Sequence, residues 1–263
     1  MENSGGTVQL HKLGLKIWSI NTDNYLNEAK RLIEEGYIDY IELYYVPGTE
    51  NKLAYWEKLS IPYVIHSPHM AHGFNLADKY ELENNLKIFK KVQTYADALT
   101  ANKIIVHCEA NGSIDETIKQ LNQIDDDRIL IENVPAIVSN DTIIDHFIGV
   151  KPEEIEYIKR RCNVGFVLDI GHAIAAAVHY KIDYWNMIDD FLILKPEMLH
   201  LSDTDTTTPY DDHFNIGKGN MDFNKLKKRL IIDYMISIET NKKSLDKLDD
   251  FNDDVKSFRR IFY

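Results

Sequence analysis

The sequence has little cysteine and no long apolar run, and each absence excludes a class of protein. Its two cysteines, Cys108 and Cys162, lie far apart and form no Cys-x-x-Cys pair, which excludes a multi-disulfide scaffold. Two reduced thiols are predicted, with a single disulfide as the alternative. No apolar run reaches the roughly 18 residues of a membrane helix, and residues 1–6 lack the features of a signal peptide. We therefore expect a cytoplasmic protein with no membrane partner.

Positive charge is also in deficit, because 30 Lys and Arg residues oppose 42 Asp and Glu residues, for a formal net charge of −12. This balance disfavours a broad nucleic-acid-binding face, although a local basic groove stays open. The 263 residues suffice for a large core and match the size of one (β/α)8 barrel. No Gly-x-Gly-x-x-Gly turn is present, which disfavours a doubly wound dinucleotide-binding sheet.

What the sequence does contain is a regular alternation of β-rich runs and helical stretches. Helix signals include Asp78 and Asp222 at helix starts, Pro152 in a first turn, and Ser113 followed by Glu116 as a capping box. The alternation predicts an α/β fold, a single-domain (β/α)8 TIM barrel over residues 9–263 after a short segment at residues 1–8. A doubly wound sheet is the alternative. The predicted strands are Leu13–Trp18, Tyr40–Tyr45, Tyr63–His66, Lys103–His107, Ile129–Asn133, Gly165–Asp169, Met198–Leu201 and Met235–Glu239.

Ionisable side chains stand at or near the ends of most predicted strands. They follow β-branched or leucine-rich sequence, where a buried charge is costly unless it is paired or bound to metal. Strand ends meet at one mouth of a barrel, so these groups would repel one another unless they shared a cation. Histidine and carboxylate without cysteine suit Zn, Mn, Co or Fe, so we predict a divalent-metal site. The residues are Glu42, His66, His107, Glu132, Asp169, His200 and Glu239.

A second polar cluster follows the seventh predicted strand, at residues 210–220. Asp211 and His213 alternate there, so both side chains can face one point. Gly217 and Gly219 permit a tight backbone around a ligand. Alone, this segment would be interpreted as an exposed turn. Beside a mouth rich in metal ligands, we predict that it contributes to the site.

An ordered set of short motifs adds a resemblance to these observations. The chain resembles the xylose-isomerase-like TIM barrels, the superfamily that holds endonuclease IV and the sugar isomerases and epimerases. Each motif is weak alone, but the set occurs in family order and spans most of the chain. The motifs are His66-Ser67-Pro68, Val106-His107, Ile131-Glu132-Asn133, Leu168-Asp169-Ile170-Gly171-His172-Ala173, Leu199-His200-Leu201-Ser202-Asp203, Asp211-Asp212-His213 through Gly217-Lys218-Gly219, and Ile238-Glu239-Thr240.

The resemblance implies nine metal ligands in three sets and therefore one to three divalent ions (Zn, Mn or Co) per chain. The first set is a quartet shared across the superfamily, and the second is bridged to it by Glu132. The oligomeric state stays open, with a homodimer as one option because relatives often pair. The implied ligands are Glu132, Asp169, His200 and Glu239 in the first set, His66 and His107 in the second, and His172, Asp211 and His213 in the third.

Departures from the endonuclease pattern favour the sugar enzymes. His69 and Met70 stand where the resemblance would place a DNA-intercalating pair, and the loop at residues 46–50 offers no arginine. Residues 169–172 read Asp-Ile-Gly-His, close to the Asp-x-Gly-His of isomerase-like members. Glu42 resembles the acidic residue that those members direct toward a sugar.

The leading hypothesis is a divalent-metal-dependent isomerase or epimerase acting on a small sugar, cyclitol or sugar phosphate. The cation would chelate a carbonyl and its neighbouring hydroxyl, which acidifies the α C–H and stabilises an enediolate. Glu132 and Glu239 are the expected base and acid. Glu42, His69 and Lys218 are expected to bind substrate. Lys218 is the candidate for a phosphate group, with a surface lysine as the equal alternative.

Two alternatives stay open. The first is an endonuclease IV-like phosphodiesterase acting at abasic DNA sites, which the complete nine-ligand set supports and the acidic charge disfavours. The second is a non-catalytic metal- or sugar-binding barrel, which the presence of both glutamates disfavours. The expected partner is accordingly a small carbohydrate, and nucleic acid is disfavoured.

Overall fold

The computed structural model describes residues 11–137 and 146–263. Within these ranges, eight parallel strands close into a barrel in chain order, with the last strand paired to the first. This confirms the predicted TIM barrel, and every predicted strand boundary agrees to within one residue. The predicted segment at residues 1–8 lies outside the described residues. The strands are β1 (Lys12–Trp18), β2 (Tyr40–Tyr44), β3 (Tyr63–His66), β4 (Ile104–His107), β5 (Ile129–Glu132), β6 (Gly165–Asp169), β7 (Met198–Leu201) and β8 (Met235–Ile238).

Helices link the strands along the outside of the barrel. The predicted cap at Ser113 is present, since its Oγ accepts from the N–H of Glu116 at 3.1 Å, and Pro152 opens its helix as expected. Across the described ranges, no helix combines the length and apolarity needed to cross a membrane. The helices are α1 (Asp23–Glu34), α2 (Leu53–Trp56), α3 (Leu82–Ala98), α4 (Ile114–Leu121), α5 (Pro152–Lys159), α6 (Ile170–Tyr180), α7 (Tyr184–Ile193), α8 (Phe223–Lys227) and α9 (Asp249–Phe262).

One predicted helix start is wrong. A long helix is predicted to open at Asp78, whereas α3 begins at Leu82. Oδ1 of Asp78 accepts from the N–H of Tyr80 at 2.9 Å, and its carbonyl accepts from the N–H of Glu81 at 3.2 Å. The aspartate therefore stabilises a turn that precedes the helix, a local hydrogen-bonding pattern that competes with capping.

Inward-pointing side chains fill the barrel in two layers. The floor layer is apolar and consists of Tyr40, Val64, Ile105, Leu130, Val167 and Met198, with Met235 packed against them. Side chains on a strand return to the same face every second residue, and two residues later the inward groups are polar. This polar layer consists of Lys16, Glu42, His66, His107, Glu132, Asp169 and His200. It lies toward the carboxyl ends of the strands, where the sequence predicts the site.

The floor layer depends on a close contact between Gly14 and Tyr40. A Cβ atom at Gly14 would lie 2.2 Å from Cζ of the Tyr40 ring, so a larger residue does not fit there. The Tyr40 hydroxyl is hydrogen-bonded to Oγ of Ser237 at 2.9 Å, and that Oγ donates to the carboxylate of Glu42. Hydrogen bonds therefore connect the apolar floor to the polar layer above it.

A second core lies between the outer faces of the strands and the helices. It holds Cys108 and Cys162 as buried free thiols, as expected for reduced cysteines. It also holds Phe74, which is fully buried. The helices thus cover the barrel from outside, and the polar layer opens only at the strand ends within the described part of the chain.

Candidate metal centre

Strand register brings the ionisable residues together. The β4–β5 pairing places His107 beside Glu132, and the β6–β7 pairing places Asp169 beside His200. Glu239 follows β8 directly, and its N–H donates to the carbonyl of Leu201 at 3.0 Å, which continues the sheet by one residue. The ends of six successive strands, β3 to β8, therefore supply side chains to one mouth.

Three groups of side chains in the described residues have ligand atoms within 4.8 Å of one another. We call them the quartet, the bridged group and the loop group. Glu132 belongs to two of them, as the resemblance implies, and the members are the nine residues named from the sequence. The quartet is Glu132, Asp169, His200 and Glu239; the bridged group is His66, His107 and Glu132; the loop group is His172, Asp211 and His213.

Glu132 lies at the centre of the site. Its Oε1 is 3.1 Å from Nδ1 of His200, while its Oε2 is 3.1 Å from Nε2 of His66 and 3.2 Å from Nε2 of His107. Burial would raise the pKa of Glu132, but the rings of His200 and His107 hold it well below its ordinary value. The buried carboxylate is therefore ionised and shared among several rings.

Asp169 both ends β6 and caps α6. Its Oδ1 accepts from the N–H of His172 at 2.7 Å, and its Oδ2 faces the quartet, 3.8 Å from Nδ1 of His200. Nδ1 of His172 in turn donates to the carbonyl of Asn133 at 2.8 Å, so its Nε2 faces Asp211 at 3.3 Å. One helix start therefore positions a residue of the quartet and a residue of the loop group.

The loop after β7 closes around the buried carboxylate of Asp203. This carboxylate accepts from the N–H groups of Gly217 and Gly219, each at 2.9 Å, and of Met221 at 3.2 Å. A Cβ atom at Gly219 would lie 2.3 Å from the carbonyl oxygen of Thr204. These glycines were expected to surround a ligand, and they surround the side chain of Asp203 instead.

This closure presents Asp211 and His213 to the mouth. Nδ1 of His213 donates to the carbonyl of Glu239 at 2.8 Å, and its Nε2 lies 2.5 Å from Oδ2 of Asp211. Burial would lower the pKa of His213, but Asp211 raises it to about 9. Burial would raise the pKa of Asp211, but His213 and His172 hold it below its ordinary value.

Lys16 is a charged residue of the site that the sequence analysis missed. Its Nζ lies 2.6 Å from Oε1 of Glu239 and 3.5 Å from Oε1 of Glu42. Burial would lower the pKa of Lys16, but Glu239 and Glu42 raise it, so the ammonium keeps its charge. A signal was present, because Lys16 interrupts an apolar strand two residues after the inward-facing Gly14.

Glu109 is the second residue that the sequence analysis missed. It is buried, and its φ of +69° is in the left-handed region, which is uncommon for a residue with a side chain. Its Oε1 lies 2.7 Å from Nδ1 of His107, and its Oε2 accepts from the N–H of Met70 at 3.2 Å. This backbone conformation just after β4 turns the carboxylate back toward the histidine ring.

The three predicted substrate-binding residues occupy different places. Glu42 lies beneath the quartet, 2.9 Å from Nε2 of His200, and contacts protein groups rather than the cavity. His69 lines the cavity, whereas Lys218 is exposed and lies outside its lining. The structure therefore brings His69, but neither Lys218 nor the Glu42 carboxylate, to the open side of the candidate ligands.

A cavity of about 250 Å³ opens above the candidate metal ligands. The bridged and loop groups line it together with Glu239 and Lys16. Trp18 and Tyr44 form one wall as a stacked pair, with ring centroids 4.7 Å apart. Glu109 also lines the cavity, so both residues missed from the sequence face the open space.

Divalent cations fit these groups on the chemistry of their donors. Nitrogen and oxygen ligands without thiolate suit Zn, Mn or Co. Among the described residues, one buried ligand atom in each group has no hydrogen-bond partner: Nε2 of His107, Oδ1 of Asp211 and Oε2 of Glu239. The first and third of these atoms lie in ion-pair contacts of 3.2 and 3.1 Å that lack hydrogen-bond alignment, and coordination would satisfy all three. The residues present therefore fit bound metal.

Comparisons with known proteins agree with this architecture. Residues 10–261 match the model of the family described as xylose isomerase-like TIM barrel. An uncharacterized protein of Methanocaldococcus jannaschii is 27% identical over 265 residues, covering 92% of this chain and 96% of that protein. A D-tagatose 3-epimerase-like protein is similar in structure, with a TM-score of 0.73, 19% identity, and coverage of 95% of this chain and 96% of that one.

Two further solved structures share the fold. Endonuclease IV from Thermus thermophilus has a TM-score of 0.64 at 15% identity and covers 95% of this chain and 99% of that one. The 3-keto-D-glucoside 4-epimerase of E. coli has a TM-score of 0.66 at 14% identity and covers 96% of this chain and 99% of that one. At these identities the likeness shows the fold alone, because one fold hosts many reactions.

Proposed function

Because the chain belongs to the xylose isomerase-like TIM barrel family, we propose that it is a divalent-metal-dependent isomerase or epimerase of a small sugar, cyclitol or sugar phosphate. One observation carries the proposal: Glu132 and Glu239 both come within 3.1 Å of Nδ1 of His200, and both line the same cavity. Two carboxylates that face one small space can take a proton from a carbon atom and return it.

The chain's own groups suit proton transfer. Burial would raise the pKa of Glu132 and of Glu239, but His200 holds the first and Lys16 the second well below their ordinary values. Both carboxylates are therefore ionised, so either can accept a substrate proton and then donate it. The quartet would hold the cation, which when bound polarises a substrate carbonyl and acidifies the neighbouring C–H.

The cavity wall suits a hydroxylated molecule. The stacked rings of Trp18 and Tyr44 offer an apolar face, on which the C–H face of a sugar can pack. Burial and the His107 ring lower the pKa of His69 to about 3, so His69 is neutral at ordinary pH. Its Nδ1 accepts from the N–H of Ala71 at 3.3 Å, which leaves Nε2–H to donate to a hydroxyl group.

Cavity size supports a small substrate. A volume of about 250 Å³ lies below the roughly 300–1,000 Å³ of pockets that bind drug-sized molecules. Two structurally similar proteins are named a D-tagatose 3-epimerase-like protein and a 3-keto-D-glucoside 4-epimerase, and both names refer to sugar substrates. These points favour a substrate of monosaccharide size.

Solvent proton exchange tests the proposal directly. The protein, loaded with Zn²⁺, Mn²⁺ or Co²⁺, would be incubated in D₂O with a panel of ketoses, cyclitols and their phosphates. We expect deuterium to enter at a carbon next to a carbonyl, with NMR as the readout. Glu132→Gln and Glu239→Gln should each lower the exchange rate by roughly 10²-fold or more, because a general acid–base group is lost.

Matched controls separate chemistry from folding. Glu83 is an exposed carboxylate on α3, so Glu83→Gln should exchange protons like the wild type. Circular dichroism should show that all the variants are folded. Full exchange by both Glu132→Gln and Glu239→Gln would refute the assignment of the two glutamates.

A second candidate function is a metal-dependent phosphodiesterase that acts at abasic DNA sites. The completeness of all three ligand groups favours it, since three ions can bind a phosphate and activate water. The net charge of −12 disfavours it. A duplex oligonucleotide with one abasic site is the test, because nicking by the wild type and none by Glu132→Gln would establish this activity. No nicking, together with one bound ion per chain in excess zinc, would exclude it.

A further inference from the structure

Lys16 and the quartet compete for one carboxylate. Nζ of Lys16 lies 2.6 Å from Oε1 of Glu239, and the lysine side chain is only 9% exposed. Register explains the contact, because β1 is paired with β8 on one side and with β2 on the other, where Lys16 is aligned with Glu42. The ammonium is therefore held between two carboxylates by the strands themselves.

The second oxygen of Glu239 points to the quartet. Oε2 lies 3.1 Å from Nδ1 of His200, yet in the described ranges it has no aligned hydrogen-bond partner. The two oxygens of one carboxylate thus face different groups: Oε1 faces a fixed ammonium, and Oε2 faces the His200 ring of the quartet.

We propose that Lys16 is a positioning residue that shares the Glu239 carboxylate with the cation of the quartet, with one oxygen facing each. Because of this sharing, the cation binds more weakly and exchanges more readily. The ammonium keeps Oε1 from joining Oε2 as a second ligand atom and repels a divalent ion held nearby. This inference rests on the proposed function only in requiring a cation at the quartet. It does not depend on which reaction follows.

The bridged group and the loop group have no comparable lysine within the described residues. Their carboxylates are Glu132 and Asp211, which contact histidine rings rather than an ammonium. The quartet should therefore be the group whose affinity rises most when the lysine charge is removed. Its ion should also exchange fastest in the wild-type protein.

Zinc titration of the metal-free protein tests the proposal. Binding of Zn²⁺ would be followed by calorimetry and by the number of ions retained after equilibrium dialysis. The quartet's step is identified as the one that Glu239→Gln weakens. We expect Lys16→Met to tighten this step by about tenfold or more, since a like charge is removed from a partly desolvated site.

Further variants separate the sharing of Glu239 from other effects. Lys16→Arg keeps the charge and should bind Zn²⁺ as the wild type does. In a Glu239→Gln background the gain from Lys16→Met should shrink, because no carboxylate remains to be shared. Lys12 lies on the same strand and is exposed, so Lys12→Met is the matched control and should change no step.

Each outcome decides the proposal. If the metal-free Lys16→Met protein does not fold, Lys16→Gln serves instead, since its amide still donates to Glu239, and the same direction of change is expected. Unchanged or weaker binding by a folded, uncharged variant would overturn the proposal. If Lys16→Met tightened zinc binding equally in the wild-type and Glu239→Gln backgrounds, this would overturn the proposal that Lys16 and the cation share Glu239. Failure of the proton-exchange assay would leave the zinc result intact, so the two proposals fail separately.

Discussion

The carboxylate of Glu109 accepts a hydrogen bond from Nδ1 of His107 at 2.7 Å, and this contact directs Nε2 of the ring toward Glu132. A ring nitrogen that donates to a carboxylate keeps its proton, so the other nitrogen is the one that can bind a cation. The bridged group therefore depends on a residue that is not among its ligands.

Removing the charge of Glu109 should weaken the bridged group. Glu109→Gln leaves a weaker partner for His107, so we expect the affinity of the bridged group for Zn²⁺ to fall by roughly 10- to 100-fold. Calorimetric titration of the metal-free protein measures this change. The exposed Glu83→Gln is the control. A Glu109→Gln protein whose zinc-binding steps all match the wild type would show that the hydrogen bond does not orient the ring.

Replacing Asp203 should loosen the loop that carries Asp211 and His213. Both carboxylate oxygens of Asp203 accept hydrogen bonds from backbone N–H groups of this loop. An asparagine side chain has only one acceptor oxygen, so some of these N–H groups would lose their partner. We expect Asp203→Asn to lower the free energy of unfolding by about 1–3 kcal/mol and to lose the ion of the loop group first. Urea unfolding and metal analysis measure the two effects. Asp127→Asn, in an exposed turn before β5, should do neither.

A methyl group at position 14 should destabilise the barrel floor. Gly14→Ala would place a Cβ atom 2.2 Å from the Tyr40 ring, and overpacking of this kind costs about 1–3 kcal/mol or more. Guanidinium unfolding measures the loss. In a Tyr40→Leu background the same substitution should cost less, because the ring is gone. An equal cost in both backgrounds would show that the ring contact is not the cause.

Zinc affinity should depend on pH. Burial would lower the pKa of His107 and of His213, but Glu132 raises the first to about 9 and Asp211 raises the second to about 9. A cation must displace a proton from each ring, so affinity should rise with pH until about 9 and then level off. Titrations in buffers of different ionisation enthalpy measure the protons released. No proton release at pH 7 would contradict the charged state of both rings.

The stability of the metal-free protein should change with pH in the opposite direction. The ordinary histidine pKa is 6.5, and a folded-state pKa of about 9 means that the folded protein binds these protons more tightly. The stabilisation that these two protonated histidines give to the folded protein is fully present below pH 6.5 and is lost as the pH rises through about 9. We expect the melting temperature of the metal-free protein to fall across this interval and that of the zinc-loaded protein to fall less. A flat profile for the metal-free protein would exclude the linkage.

Much of the fold was predictable, because each strand combines an apolar run with a polar end. The runs before His66, His107 and Glu132 mark strands, and their polar ends mark the mouth. Asp78 is a position where the sequence alone is ambiguous. An aspartate before an apolar-periodic segment suits a turn as well as a helix cap, and the contacts of the folded chain decide between them.

The candidate ligands were predictable from strand ends and from the motif in the loop after β7, whereas Lys16 and Glu109, which contact those ligands, were missed. Lys16 lies inside a strand, and its role depends on register with Glu42 and on the last strand, which pairing alone reveals. Glu109 acts through a left-handed backbone conformation that its residue type does not indicate. Glu42 was expected to face a sugar, and the structure places it under His200 because of the depth of its layer.

The two-residue spacing between the floor layer and the polar layer limits how this sequence can change over evolution. Inserting or deleting one residue inside a strand would turn Glu132 or His200 toward the helices and push a residue of the outer core into the barrel. Closure of the barrel and assembly of the ligands would then be lost in one event. We therefore expect this barrel to tolerate length changes in its loops better than inside its strands.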